Sequence, residues 1–373
     1  MSVQTATRTD QQWMDLALEL ARQGEALASP NPLVGAVVVR ENTEVAHAFH
    51  TYDGIKHAEV LALEAAGAAA RGATLYTNLE PCSHHGRTGP CVEAIIEAGI
   101  GRVVAAMPDS NPNVNGRGFE RLRTASIEVV TGIREEEARR LNEAFACWVL
   151  TGRPLVTLKA GLTLDGRIAG VSAPTPGHRW ITSEESRAQV QRLRHQSDAV
   201  LTGIGTVLAD DPYLTDRTGE PRRRPLLRVV LDAGLRLPLD SQLVRNAQND
   251  VLVFCGEDIW MGKRLRLEQR GVETIELKEA AGRISLHAVL GKLAERQITS
   301  LLLEAGAQVN AYAVEMGLVD KVWLFYAPKF LGAEAVPLLA GGGPLPPLRH
   351  YRLHRFGADF AVEGYLRNVY GNH

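Results

Sequence analysis

The chain has 373 residues, 45% of them hydrophobic and 23% charged, with a formal net charge of −2. That length exceeds one ordinary core and predicts two domains, and the composition is that of a globular protein. The near-neutral charge leaves no electrostatic footprint for nucleic acid, which counts against an enzyme acting on DNA or tRNA. No apolar run reaches the length of a membrane span, and the first ten residues, with Arg8 and Asp10, lack the apolar core of a secretory signal. The expected compartment is the cytoplasm. Of four cysteines, Cys82 and Cys91 share a motif, whereas Cys147 and Cys255 stand alone in apolar segments. The latter two read as core thiols, and no disulfide framework is expected.

In chain order, Asp10 is placed to cap a helix whose Trp13, Leu16, Ala17, Leu20 and Ala21 recur at helical spacing. After the turn Ser29-Pro30-Asn31-Pro32, residues 33–39 read as a buried strand and 44–49 as its hairpin partner or neighbour. His57 opens the next helix, and residues 74–79 form a strand that delivers Cys82. A helix over 91–98, a strand over 102–107, a helix through Phe119 and Leu122, and a strand over 127–130 follow. Strands separated by helices make this first domain α/β. A single charged helix over 134–150 leads to the boundary at Thr151-Gly152-Arg153-Pro154, where Gly and Pro end one element and start another.

The chemistry concentrates between His57 and Cys91. One imidazole and two thiolates, His57, Cys82 and Cys91, form a soft ligand set suited to Zn²⁺, and three protein ligands leave a fourth tetrahedral position for water. Glu59, two residues after the histidine, is a harder donor than the thiolates and reads as a proton shuttle, since zinc lowers the pKa of its water to roughly 7. The order H-x-E, then P-C and a second Cys, is that of zinc nucleobase deaminases, in which the Glu is not a ligand. Eight residues separate the two cysteines instead of the usual two. Pro81 and Pro90 each look like the first residue of a short helix, which frees the loop 83–89, with His84, His85 and Arg87, to reach a substrate. Taken singly, His57 or Cys82 would read as a buried structural residue, and the set also suits a structural zinc site lacking its fourth ligand.

Beyond the boundary, strands are expected over 155–158, 199–202, 227–232, 251–254, 274–277, 301–303 and 321–326, interleaved with helices over 183–195, 285–296 and 307–316. The pattern admits a Rossmann unit, but Gly203-Ile204-Gly205 lacks the third glycine, Leu208 standing in its place. Arg222-Arg223-Arg224, between two prolines, reads as a solvated loop, with a phosphate site as the less favoured alternative.

At this point the residues match a known family. The run 77–91 and the upstream Pro30-Asn31-Pro32-Leu33-Val34-Gly35 closely resemble the bifunctional deaminase-reductases of riboflavin biosynthesis, and the resemblance continues through 159–167, 180–183, 207–217 and 304–312. It implies an α/β chain with a cytidine-deaminase-like zinc domain over 1–150 and a dihydrofolate-reductase-like domain over 151–373. The first would deaminate a phosphoribosylated pyrimidine, and the second would use NADPH to reduce its ribose to a ribityl chain. Carried over by motif, Asn31, His50, His84 and Arg87 would bind substrate in the first domain. In the second, Lys159 and Glu304 would be catalytic, and with Arg194, Leu214 and Arg217 they would hold the phosphorylated substrate. Gly161, Trp180, Thr206, Asp210 and the turn Gly306, Ala307, Gln308, Val309, Asn310, Ala311 and Tyr312 would contact NADPH. Two positions depart from the family pattern, His178 at a substrate position and Ala233 at a cofactor position, where relatives commonly carry Ser. His47 and His85 receive no role. The resemblance also implies a homo-oligomer. The competing readings are a nucleotide deaminase with a C-terminal regulatory module and a non-enzymatic scaffold stabilised by zinc.

Overall fold

In the computed structural model, which describes residues 8–112, 114–170, 180–257, 259–280, 283–341 and 346–370, Thr9 rather than Asp10 caps the first helix, α1 (Asp10–Arg22). Thr9 Oγ1 accepts from the Gln12 backbone N–H while Gln12 Oε1 accepts from that of Thr9, a reciprocal capping box. Asp10 accepts instead from the Tyr76 hydroxyl at 2.6 Å and from the Arg102 guanidinium at 2.8 and 3.0 Å. It thereby pins α1 to strands β3 (Thr74–Thr77) and β4 (Arg102–Ala105).

The chain forms two compact units, one running to Thr151 with Pro221–Arg224 added, the other comprising Gly152–Glu220 and Pro225–His373. In the first, five strands lie in the order β2-β1-β3-β4-β5, with β1 Gly35–Arg40, β2 Thr43–Phe49 and β5 Glu128–Thr131. The expected hairpin forms, Gly35 facing Phe49 and Arg40 facing Thr43. β1 runs antiparallel to β2 and β3, and β3, β4 and β5 are mutually parallel. α1 and α2 (Ala58–Ala66) pack on β1. Gly35 permits this close approach, because a Cβ there would lie 2.1 Å from the Ala17 carbonyl oxygen.

Two local expectations fail for physical reasons. No helix forms at Pro81: residues 81–90 are irregular, and Pro90 precedes α3 (Cys91–Glu97) as its cap. The single helix expected over 134–150 is broken into α5 (Glu135–Leu141) and α6 (Glu143–Thr151), counted after α4 (Arg117–Thr124). Asn142 makes the break. Its buried amide accepts from Leu33 N at 2.8 Å and donates to Leu33 O at 3.0 Å, which closes the polar groups of the chain entering β1.

The second unit is built on a nine-stranded sheet in the order Val272–Glu276, Val251–Cys255, Leu227–Leu231, Ala199–Gly203, Ser300–Leu303, Leu155–Thr163, Lys321–Ala327, Asp359–Tyr365, Arg349–Phe356. The first seven are mutually parallel, and each of the last two runs antiparallel to the strand before it in this order. The Rossmann reading fails on this order, since the Ser300–Leu303 strand separates the unit's first strand from Ala199–Gly203. Successive residues enter opposite cores: Leu201, Val229, Leu252 and Phe254 one, Val200, Val230, Val251 and Val253 the other. A parallel sheet is thus buried on both faces. The two C-terminal strands are absent from the sequence reading; in the outer one, Arg349, His350, Arg352, His354 and Arg355 hide the period of an exposed edge strand. No disulfide joins the four cysteines, all of which are buried; Cys255 packs in an apolar cluster, whereas the Cys147 thiol meets the Thr151 hydroxyl at 3.7 Å. Among the described residues no helix is long and apolar enough to cross a membrane.

Replacing Asn142 by Ala leaves the Leu33 N–H without its partner and the Leu33 carbonyl with the Asn78 amide alone, and about 1–3 kcal/mol of stability is expected to be lost; urea unfolding of the variant measures it, and an unchanged midpoint would show that the α5–α6 break has another cause.

Candidate active sites

In the first unit three elements converge on one point. His57, in extended conformation, is the N-cap of α2; Cys82 follows β3; and Cys91 opens α3. Their ligand atoms all lie within 4.8 Å of one another. His57 Nδ1 stands 3.1 Å from Cys91 Sγ and 3.5 Å from Cys82 Sγ, and the Cys91 backbone N–H donates to Cys82 Sγ at 3.3 Å. Hydrogen bonding from the Cys91 thiol and from His57 holds the Cys82 thiol far below its ordinary range, at about 4, and so favours the thiolate that a metal requires. The set is soft, convergent and three in number, and it fits zinc. Glu59, in the first turn of α2, is 3% exposed, and its Oε2 has no hydrogen-bond partner. Burial pushes its carboxyl up to about 6. A buried, half-orphaned acid beside three soft ligands is equipped to exchange a proton with something bound there.

His50 is buried, its ring edge-on to that of His57 with centroids 5.4 Å apart. Its Nδ1 faces the Lys56 carbonyl at 2.9 Å and its Nε2 the Asn31 amide nitrogen at 2.9 Å. A carbonyl can only accept, so the proton belongs on Nδ1 and Nε2 accepts from Asn31. Burial lowers the pKa of this imidazole and keeps it neutral. The structure therefore joins Asn31 and His50 beside the metal ligands. His84, His85 and Arg87 are exposed on the loop between the cysteines, with the Arg87 guanidinium over the Tyr52 ring at 4.3 Å. His47 pairs with Glu44 on an exposed stretch of β2.

Sequence reasoning missed what supports this centre. Glu80, buried just before Pro81-Cys82, accepts from the backbone N–H groups of Asp109, Gly116, Gly118 and Phe119 at 2.8–3.3 Å. Gly118 is required there, since its Cβ would lie 2.1 Å from the Pro81 carbonyl. The clamp brings in Asp109, a buried acid that burial pushes up to about 6 and that senses the charges of Cys82 and His84. The one available signal was a charged residue next to a metal-ligand motif. Arg222, Arg223 and Arg224 do not form the solvated loop expected: all three are partly buried, in a segment that clusters with the first unit.

The second unit gathers Lys159, Arg194 and Glu304. Lys159 Nζ donates to Glu304 Oε2 at 3.1 Å, and Arg194 donates to both Glu304 oxygens at 2.7 and 3.1 Å and to the Thr215 carbonyl at 3.0 Å. Burial pushes the Glu304 carboxyl up, but the charges of Arg194 and Lys159 outweigh it and hold it at about 2. Arg194 is thus engaged by Glu304, whereas the Arg217 side chain is exposed and Leu214 is buried with a left-handed backbone (φ 52°).

The expected cofactor residues group partly. Gly306 caps the Ala307–Glu315 helix with no side-chain cap bond, which leaves the helix N-terminal N–H groups for an anion. A Cβ on Gly306 would lie 3.6 Å from Thr206 Oγ1, and one on Gly203 would lie 2.9 Å from Val309 Cγ2, so the Ile204–Asp210 helix start faces this turn. A Cβ on Gly161 would meet Thr182, two residues after the exposed Trp180. These bare backbones fit a dinucleotide phosphate. Within the turn itself Ala307, Asn310 and Ala311 point inward; Asn310 donates to the Ala305 and Leu338 carbonyls. Gln308 and Asp210 are exposed, Tyr312 lies beneath the Arg283 guanidinium, and Ala233 is partly buried against the core. His178 lies outside the described residues.

Residues 7–107 match the model of the cytidine and deoxycytidylate deaminase zinc-binding region, and residues 154–362 that of the RibD C-terminal domain. The riboflavin biosynthesis protein RibD of Aquifex aeolicus is 42% identical over 323 residues, 87% of this chain and 88% of its own. That of Escherichia coli is 41% identical over 369 residues, 95% of this chain and 98% of its own. Among solved structures, Acinetobacter baumannii RibD in its form 1 is 37% identical with a TM-score of 0.82, over 95% of this chain and 98% of that one. The Thermotoga maritima diaminohydroxyphosphoribosylaminopyrimidine deaminase/5-amino-6-(5-phosphoribosylamino)uracil reductase is 36% identical with a TM-score of 0.80, over the same shares. Identity of this order along nearly the whole of both chains places the protein in the RibD family of riboflavin biosynthesis, as an enzyme with a zinc deaminase half and a reductase half.

Proposed function

We propose that residues 1–150 form the deaminase domain and residues 151–373 the reductase domain, acting in turn on one phosphoribosylated pyrimidine. The first replaces the 2-amino group of 2,5-diamino-6-ribosylamino-4(3H)-pyrimidinone 5′-phosphate by oxygen from water and releases ammonia. The second reduces the ribosyl group of the resulting 5-amino-6-(5-phosphoribosylamino)uracil to ribityl. The observation that carries the reading is the orphaned Glu59 oxygen buried beside His57, Cys82 and Cys91.

Held by those three residues, zinc supplies a Lewis acid that makes water acidic near neutral pH. Glu59 takes the proton at its carboxylate and returns it to the departing amine. Asn31 and His50, already bonded to each other, hold the pyrimidine, and His84 and Arg87 meet the sugar phosphate from the exposed loop. In the reductase domain NADPH, when bound, supplies the reducing equivalent. The bare backbones at Gly161 and Gly306, with Trp180, Thr206, Asp210, Ala233 and residues 307–312, hold the cofactor. Lys159 and Glu304 manage the proton needed when the ribose opens and is reduced at C1′. Arg194 positions Glu304, and Leu214, Arg217 and His178 complete the substrate site, with the exposed Arg217 guanidinium suited to the phosphate. The protein is read as a cytoplasmic homo-oligomer, an assembly supported by exposed Tyr351 and Leu353 on the edge strand Arg349–Phe356.

Glu59→Gln is expected to lower ammonia release by about 10²-fold or more while zinc content by metal analysis stays that of wild type; surviving deamination would remove the proton-shuttle role. Lys159→Ala is expected to stop NADPH oxidation on the uracil ribotide and to spare ammonia release, and loss of both activities together would point to misfolding instead. Because folding depresses the Glu304 carboxyl from 4.5 to about 2, its ion pairs contribute fully above pH 4.5 and are lost as pH falls through about 2. The stability gap between wild type and Glu304→Gln in urea titrations is therefore expected to hold steady above pH 4.5 and shrink on acidification; a gap that widened would contradict the pairing.

A further inference from the structure

Pro221–Arg224 lies in sequence between the Ala199–Gly203 and Leu227–Leu231 strands, yet it clusters with the first unit. The Arg223 backbone N–H donates to the Ala26 carbonyl at 3.0 Å, and Arg224 Nη2 donates to Ser29 Oγ at 3.1 Å. The Arg223 guanidinium then lies over the Tyr52 ring, 4.1 Å from its centroid. That ring already carries Arg87 at 4.3 Å, and Arg87 Nη1 donates to the Tyr52 carbonyl at 3.1 Å. Two guanidiniums thus share one aromatic ring.

Like charges held so close repel, and a cation–π contact contributes only about 0.5–2 kcal/mol. Among the described residues the carboxylate in reach of Arg223 is Asp53, 3.9 Å away and 74% exposed, too distant for a hydrogen bond and well screened. Arg223 itself is only 18% exposed, and its Nε has no hydrogen-bond partner. A pair of forked donors without a matching carboxylate suits an anion with several oxygens, above all a phosphate. The position agrees with that ligand. Tyr52 is two residues from His50, which bonds Asn31 and stands against His57, and Arg87 is near enough for its charge to act on His50.

We infer that Arg223 is a specificity residue of the deaminase half, joining Arg87 on the Tyr52 ring to bind the 5′-phosphate of the pyrimidine ribotide. The inference rests on the deaminase reading above. It means that the first reaction depends for its choice of a phosphorylated substrate on a residue encoded within the second half of the chain.

The test is steady-state ammonia release by the full-length, zinc-loaded protein, comparing wild type, Arg223→Ala and Arg223→Lys on the diaminopyrimidine ribotide and on its dephosphorylated riboside. For Arg223→Ala the KM for the ribotide is expected to rise about tenfold or more, with kcat within about twofold, the KM for the riboside unmoved, and partial recovery in Arg223→Lys. An unchanged KM for the ribotide would overturn the inference, and so would an equal rise for ribotide and riboside, which would mark a structural role. Absence of ammonia release by wild type would overturn the deaminase reading itself, an outcome distinct from either of these.

Discussion

A carboxylate taken out of water costs several kcal/mol unless its lone pairs are met by donors, and this constraint organises both units. Glu80 is satisfied by four backbone N–H groups of the 109–119 stretch. Asp320 is met by Arg153 at 2.6 and 2.7 Å and by the Val156 N–H, which ties the start of the second unit to its Lys321–Ala327 strand. Asp198 takes the N–H and hydroxyl of Thr299, closing the approach to the Ser300–Leu303 strand. Glu304 is met by Lys159 and Arg194. Each pairing joins segments far apart in the chain. Against that background Glu59 and Asp232 each keep one buried oxygen without a hydrogen bond, and that of Glu59 falls beside His57, Cys82 and Cys91.

Sheet topology explains where the polar groups collect. In parallel sheets ligands gather at the carboxyl ends of the strands, where loops leave and helices begin. Cys82 follows β3 and Asp109 follows β4 in the first unit; Thr206, Ala233 and Glu304 follow their strands in the second. Lys159 and Gly161 differ, for they sit within the long Leu155–Thr163 strand, two residues apart and hence on one face. An element that carries a charged side chain in the middle of a buried strand must supply a partner, and Glu304 is that partner.

The two centres also differ in how their acids are tuned. Burial raises Glu59, because no cation in the unit outweighs the loss of water, and it stays near the range where a proton can be taken and given. Glu304 is equally removed from water, but two cations reverse the effect and keep it ionised. One carboxyl is raised toward neutrality by burial, and the other is kept ionised between a lysine and an arginine.

By itself the sequence determined the His57, Cys82 and Cys91 cluster, the acid beside it, the order of most strands and the family, because donor softness, motif order and hydrophobic period are properties of residues and their neighbours. Local reading failed where a distant partner made the choice. Asn142 interrupts a good helical pattern to bond Leu33, Thr9 takes a cap that Asp10 leaves for Tyr76 and Arg102, and the edge strand at Arg349–Phe356 shows no apolar period. Only the tertiary structure decided that Glu80 holds Asp109 near the metal ligands, that Arg194 is bound to Glu304, and that Arg223 lies on Tyr52. These contacts join residues widely separated in the chain through charge and hydrogen bonding, and no pattern of spacing along the chain encodes which distant groups will meet.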